Sequence, residues 1–222
     1  MAEYPLNLEV EGRLCVVVGG GAVGMRKART LLACGARLVL VEPHPVPEAE
    51  SLNGLVLVRR PYCRQDLEGA TLVFAATGDR RLNADIARDA REAGAMVNVA
   101  DAPLEGDFTL PALARRGDLL LAVSSGGKSP ALAALLRDLL AESVGPEWAV
   151  LTEIAAALRQ KRLTLPEAGE YNQAALRRLL EQDICALIAA RDRDGINRLL
   201  KSQFGEEVSL STLGVQLPTG TP

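Results

Sequence analysis

The chain has 222 residues, 48% of them hydrophobic and 24% charged, which is enough for one large domain or a medium one with an appendage. Its net charge of −3 and pI near 5.4 argue against a general nucleic-acid or membrane-surface binder. No apolar run reaches membrane-spanning length, no charged-then-apolar leader opens the sequence, and four scattered cysteines (15, 34, 63 and 185) carry no C-x-x-C pattern. A soluble, unprocessed, cytoplasmic protein with reduced thiols is expected.

In chain order, Leu14–Val18 reads as a buried strand running into Gly19-Gly20-Gly21-Ala22-Val23-Gly24. Gly19, Gly21 and Gly24 fit G-x-G-x-x-G: a tight turn, a close backbone approach to a pyrophosphate, and a helix packed closely on the strand. The free N–H groups of the following helix, read over Met25–Cys34, including those of Ala22 and Val23 at its start, suit an anion. Arg37–Val41 is the second strand, and Glu42 at its end stands where a carboxylate binds both hydroxyls of an adenine ribose. That side chain would repel a 2′-phosphate, so NAD is expected over NADP. By position Pro43 and His44, the only histidine, flank the adenosine.

The proline-rich link 43–48 holds at most a short helix before a third strand, Leu55–Val58. Thr71–Ala75 is a fourth strand, followed by Thr77, which either bonds the nicotinamide half of the cofactor or caps the next helix. That helix, Arg80–Ala93, places Leu82, Ile86, Ala87 and Ala90 on one face and stops at Gly94. A fifth strand, Ala95–Val99, leads through Asn98 to Asp101, which is either a base facing the nicotinamide or an Asx turn before Pro103. The alternation predicts an α/β fold with a Rossmann-like parallel sheet.

Beyond Asp101 the pattern changes. Phe108–Leu113 and Leu119–Val123 read as a hairpin turned by Arg115-Arg116-Gly117-Asp118. Ser124-Ser125-Gly126-Gly127-Lys128-Ser129-Pro130 is a second strand–glycine–helix junction: Ser125, Gly127 and Lys128 either hold a substrate carboxylate or only turn and cap. It lacks the first glycine of a Walker loop, so nucleotide hydrolysis is not expected. The helix to about Glu142 carries Leu132, Leu135, Leu136, Leu139 and Leu140 at three- and four-residue spacing, which implies a partner surface. Helices are predicted at 146–162, 170–190 and 192–203, and 205–222 reads as a loosely ordered tail. One histidine and dispersed cysteines cannot form a preassembled metal site.

Val18–Ala28, Ala75-Ala76-Thr77, Asn98–Pro103, Phe108–Pro111 and Ala122–Pro130, in this order, resemble the precorrin-2 dehydrogenase family, the dehydrogenase/chelatase part of siroheme synthases. The likeness spans residues 1 to roughly 160, with a weaker helical match to about 204. It implies NAD-dependent oxidation of precorrin-2 to sirohydrochlorin, with Asp101 as the acid/base group. Bifunctional members also insert Fe²⁺ or Co²⁺, the macrocycle supplying the ligands. It further implies a homodimer built from an NAD-binding Rossmann domain (1–112), a dimerisation region (113–145) and a helical C-terminal domain (146–204). Asn98, Arg115, Arg116, Ser125, Gly127 and Lys128 become candidates to hold the polycarboxylate substrate, and Ser125 matches a serine that some members phosphorylate. Gly24 stands where the family commonly has alanine, a change expected to be harmless, and Gly78 where it has aspartate. A dinucleotide-responsive regulatory module is the rival reading, and it leaves Asp101 without a task.

Overall fold

The computed structural model describes residues 3–163 and 173–218. The chain forms two compact units, Met1–Leu110 and Pro111–Pro222.

In the first unit, β1 (Leu14–Val18), β2 (Arg37–Val41), β3 (Leu55–Val58), β4 (Leu72–Ala75) and β5 (Met96–Val99) form a wholly parallel sheet in the order β3-β2-β1-β4-β5. The chain reverses direction of travel across the sheet between β1 and β4, the place where doubly wound sheets bind ligands outside their carboxyl ends. The strands are nearly continuous apolar runs because both faces are covered. Val16, Val18, Val73, Val97 and Val99 pack against Ile86, Ala87 and Ala90 of α3 (Arg80–Glu92). Cys15, Val17, Leu38, Leu40 and Phe74 pack on the other side against Met25, Ala28 and Leu31 of α1 (Ala22–Ala33). The proline-rich link contains α2 (Pro47–Ser51), one turn long.

Asp79 caps α3, accepting from the Arg81 and Leu82 N–H groups. Gly94 (φ +75°) ends it: the Gly94 N–H donates to the Arg91 carbonyl and the Ala95 N–H to that of Ala90.

In the second unit β6 (Ala112–Arg116) and β7 (Leu119–Val123) pair antiparallel, with Arg116 opposite Leu119. The turn is therefore the two residues Gly117-Asp118, and the first strand starts four residues later than its alternation predicts. Pro111 has no N–H for a ladder, and Phe108 is drawn instead against Phe74, ring edge to face at 5.6 Å. α4 (Pro130–Ser143) packs on this hairpin, capped by the Ser129 hydroxyl, which accepts from the Leu132 N–H.

Helices α5 (Trp148–Leu163), α6 (Gln173–Glu181), α7 (Ile184–Ala189), α8 (Arg193–Phe204) and α9 (Leu210–Leu213) enclose a core that includes Ile154, Leu179, Ile184, Ile196 and Leu200. The predicted helix 170–190 is two helices, broken at Asp183 in the left-handed region (φ +54°); residues 170–172 lie outside the described residues. The predicted loose tail is also corrected for its described part, 205–218. Val208, Leu210, Val215 and Leu217 are buried in the helical core, and a capping box between Ser209 and Thr212 starts α9. Four apolar side chains leaving water outweigh the turn-rich composition around them.

Candidate active site

The carboxyl edge of the sheet collects four segments. Backbone bonds prolong the ladder past the strands: Gly19 N–H to Val41 carbonyl, Ala76 N–H to Val18, and Ala100 N–H to Ala75. The glycine turn, Glu42, Thr77 and Asp101 thus each follow directly from a strand of one sheet.

The glycines are fixed by geometry. Gly19 has φ +104°, and a Cβ there would lie 2.4 Å from the Ala76 carbonyl oxygen. At Gly24 a Cβ would meet the Gly19 carbonyl oxygen at 1.9 Å, so α1 approaches the turn more closely than an alanine would allow in this backbone. Gly21 is the N-cap of α1 with open space at its Cβ position, no side chain caps the helix, and no acidic residue occupies its first turn. The N–H groups at Ala22 and Val23 are left for an anion. Gly20 was not singled out by the motif, yet it is equally constrained: its N–H donates to Glu42 Oε2 at 2.7 Å, and a Cβ would lie 2.8 Å from Glu42 Cγ.

An open cleft of about 360 Å³ lies beside this turn, lined among others by Gly19, Gly21, Glu42, Pro43, Tyr62 and Thr77. Glu42 Oε1 accepts the backbone N–H of His44, whose side chain is exposed. Next to Glu42, Arg59 is paired with Glu50 and Arg60 with Asp66, so both guanidinium groups that follow β3 are already engaged by carboxylates. Tyr62 was missed by the sequence reading. Its phenol donates to Asp89 Oδ2 at 3.0 Å, and burial, then that bond, raise its pKa well above the usual tyrosine range. The cleft fits a dinucleotide: a glycine floor where side chains are excluded, a helix N-terminus without its own cap, and a carboxylate at the end of β2.

Thr77 and Asp101 are joined through a residue that the sequence reading did not select. Asn83 of α3 is fully buried; its Oδ1 accepts from Thr77 N at 3.1 Å and Thr77 Oγ1 at 2.7 Å. Its Nδ2 donates to the Thr77 carbonyl at 3.2 Å and to Asp101 Oδ1 at 2.8 Å. Asp101, with a side chain 37% exposed, also has Arg80 Nε at 3.7 Å from Oδ2, while Arg80 is bound to Glu105. Asn83 adjoins the apolar stripe of α3, and a polar residue beside such a stripe was the available signal.

Several substrate candidates are engaged within the protein. Asn98 is buried, its Oδ1 accepting from Lys27 Nζ at 2.8 Å and its Nδ2 donating to the Phe108 carbonyl at 2.9 Å, so its amide ties α1 and the Phe108 segment to β5. Lys27 Nζ also lies 5.0 Å from the centre of the Phe74 ring, and burial, then the nearby Arg26 charge, lower its pKa to about 8. Arg116 donates through Nε to the Val144 carbonyl and through Nη2 to that of Ala141, closing the C-terminus of α4. In the second glycine junction Ser125 Oγ accepts the Ser129 N–H at 3.0 Å, Gly126 and Gly127 have positive φ, and Lys128 is exposed. Among the described residues no group of three His, Cys, Asp or Glu side chains could hold a metal ion.

Fold and cleft together define a nicotinamide-dinucleotide-binding protein of the doubly wound α/β class, with the Asp101 carboxylate held by Asn83 just after β5 of the same sheet. A family model described as putative NAD(P)-binding matches residues 6–112, and one described as sirohaem biosynthesis protein central matches 116–143. The siroheme synthase 2 of Aeromonas salmonicida is 36% identical over 219 residues, covering 94% of this chain and 45% of that protein. The siroheme synthase of Pseudomonas paraeruginosa is 36% identical over 203 residues, covering 90% and 44%. The chain thus spans a little under half the length of these curated relatives. The solved structure of SirC, a precorrin-2 dehydrogenase, superposes with a TM-score of 0.66 at 25% identity, covering 90% of this chain and all of that one. Over nearly its whole length the chain is thus similar to part of these siroheme synthases, and its first half matches the putative NAD(P)-binding model.

Proposed function

We propose that this chain oxidises precorrin-2 to sirohydrochlorin with NAD as the hydride acceptor. The observation that carries the reading is the Asp101 carboxylate, anchored by Asn83 through one oxygen at the carboxyl edge of the sheet that holds the dinucleotide cleft. The likeness to a precorrin-2 dehydrogenase over that protein's full length supports it. When bound, the nicotinamide supplies a two-electron acceptor for hydride. The chain supplies the rest: the uncapped start of α1 neutralises pyrophosphate charge, Glu42 accepts the ribose hydroxyls, and the Thr77 loop borders the nicotinamide half. Asp101 takes the proton lost as the C–H hydride departs, through Oδ2, whose nearest cation is too distant for a hydrogen bond. Lys128, exposed in the second glycine junction, is the proposed cation for a substrate carboxylate.

NAD is favoured over NADP by Glu42, whose carboxylate would repel a 2′-phosphate, and Arg59 and Arg60 after β3 are paired with Glu50 and Asp66. A homodimer is the proposed assembly, because α4 presents Leu132, Leu135, Leu136, Leu139 and Leu140 at 40–58% exposure. No described helix is long and apolar enough to cross a membrane; with four uncrosslinked thiols, the cytoplasm is the proposed compartment.

The deciding experiment mixes the purified chain with precorrin-2 and NAD and follows NADH formation together with the sirohydrochlorin spectrum. Both should rise in step. NADH without sirohydrochlorin, or neither, overturns the assignment.

A further inference from the structure

We infer that Asn83 is a positioning residue for this dehydrogenation, aiming the Asp101 carboxylate and locking it to the Thr77 loop at the cofactor edge. The inference rests on the reading of Asp101 as the proton acceptor. A fully buried amide is costly unless its hydrogen-bonding capacity is met, and Asn83 lies beside Leu82, Ile86, Ala87 and Ala90 of α3, which pack into an apolar core. An alanine or leucine would serve the packing. What the amide adds is direction.

The Thr77 N–H can only donate, so it fixes Oδ1 on the Thr77 side. Nδ2 must then face Asp101 and the Thr77 carbonyl. Both donors and both acceptor sites of the amide are used, and it cannot flip without breaking several bonds at once. The consequence for Asp101 is asymmetric. Oδ1 is held at 2.8 Å by a neutral donor, which fixes the carboxyl plane, whereas among the described residues Oδ2 has Arg80 Nε at 3.7 Å, beyond hydrogen-bond distance, and keeps lone pairs for a proton. Arg80 is itself bound to Glu105, which holds its guanidinium back from a full pairing with Asp101. A neutral amide fixes the orientation of a carboxylate through one oxygen and leaves the other open. Because the same amide holds the N–H, the hydroxyl and the carbonyl of Thr77, the cofactor loop and the base move as one unit.

Asn83→Asp separates this role from simple packing. The new carboxylate can still accept from the Thr77 N–H and hydroxyl, but it places an acceptor where Asp101 expects a donor. The acid limb of the kcat–pH profile should move up by about one unit or more, with NAD affinity changed less than about three-fold. Asn83→Ala should lower kcat by about ten-fold or more, move the limb the same way by a smaller amount, and leave KM for precorrin-2 within about three-fold. In an Asp101→Asn background, Asn83→Asp should cost no further turnover.

An acid limb that stays in place in a folded, active Asn83→Asp overturns the inference. If that variant does not fold, Asn83→Ala decides on the same limb, and its failure to fold as well assigns Asn83 a purely structural role. Full turnover in Asp101→Asn alone removes the base reading itself, an outcome distinct from an unmoved limb.

Discussion

The Glu42 carboxylate accepts the Gly20 N–H at 2.7 Å and the His44 N–H at 2.9 Å, and the absence of a side chain at Gly20 is what permits this approach. The end of β2 is thereby locked to the glycine turn before any ligand arrives. The carboxylate is presented with its orientation already set, and the ordering entropy of that side chain need not be lost on binding.

Glu42→Ala should therefore reduce the NAD over NADP preference by about ten-fold or more, since a hydrogen bond to a charged acceptor contributes about 1.5–3 kcal/mol. Titration of both dinucleotides against the purified variant measures the ratio. An unmodified chain that prefers NADP, or a ratio unchanged by the substitution, would defeat the reading.

Gly24→Ala is expected to destabilise the first unit by about 1–3 kcal/mol, as overpacking does, and to weaken NAD binding, because the new methyl would displace the Gly19 carbonyl. Thermal denaturation with and without NAD checks both effects. A melting curve that superimposes on that of the unmodified chain sinks this prediction.

Asp101→Ala should lower kcat by about 10²–10⁴-fold, the range for a lost general base, while the dissociation constant for NAD changes less than about three-fold. Steady-state rates beside equilibrium binding provide the comparison. Retained turnover would reassign the base, and lost turnover with intact NAD binding distinguishes the enzyme from a dinucleotide sensor.

Leu136 and Leu139 lie on the exposed face of α4 at 45% and 52% exposure. Replacing both by glutamate should halve the molar mass seen by light scattering, from about twice the chain's 23.6 kDa to a single chain. A unmodified chain that elutes as a monomer removes the dimer proposal.

Lys27 links charge to stability. Its pKa is about 8 in the folded state against 10.5 for the free side chain, chiefly because burial disfavours the ammonium. Between these values the unfolded chain binds more protons, so this group raises stability as pH climbs through that window, and below about pH 8 its full burial cost is present. Relative to Lys27→Met, the unmodified chain should gain about 1 kcal/mol between about pH 7 and pH 10 after allowance for solvent screening. Parallel urea unfolding of both proteins at the two pH values tests it. The comparison matters because Cys15, its pKa raised to about 11 by burial, works in the opposite direction above pH 9. No difference in slope would show that Lys27 is solvated.

Much of the first unit was legible in the sequence. Five apolar runs separated by amphipathic or turn-rich segments give a parallel sheet, and each observed strand falls within one residue of its expected bounds. The glycine turn and Glu42 were legible for the same reason, since the spacing of strand, turn and helix forces them to one edge. The errors lie where long-range burial overrules local composition. Phe108 leaves its predicted strand for the Phe74 ring, Arg116 leaves its predicted turn to close α4, and residues 205–218 carry four apolar side chains into the helical core.

By itself, the sequence determined the fold class, the dinucleotide turn and the candidacy of Asp101, because periodicity and glycine spacing are local properties of the chain. Only the tertiary structure decided what Asp101 is attached to. Asn83 lies 18 positions earlier on a different element, and the amide's orientation follows from Thr77, a third segment. Hydrogen-bond satisfaction of a buried amide is a condition on several distant backbone and side-chain groups at once, so it comes into being with the packing of α3 against the sheet and not before.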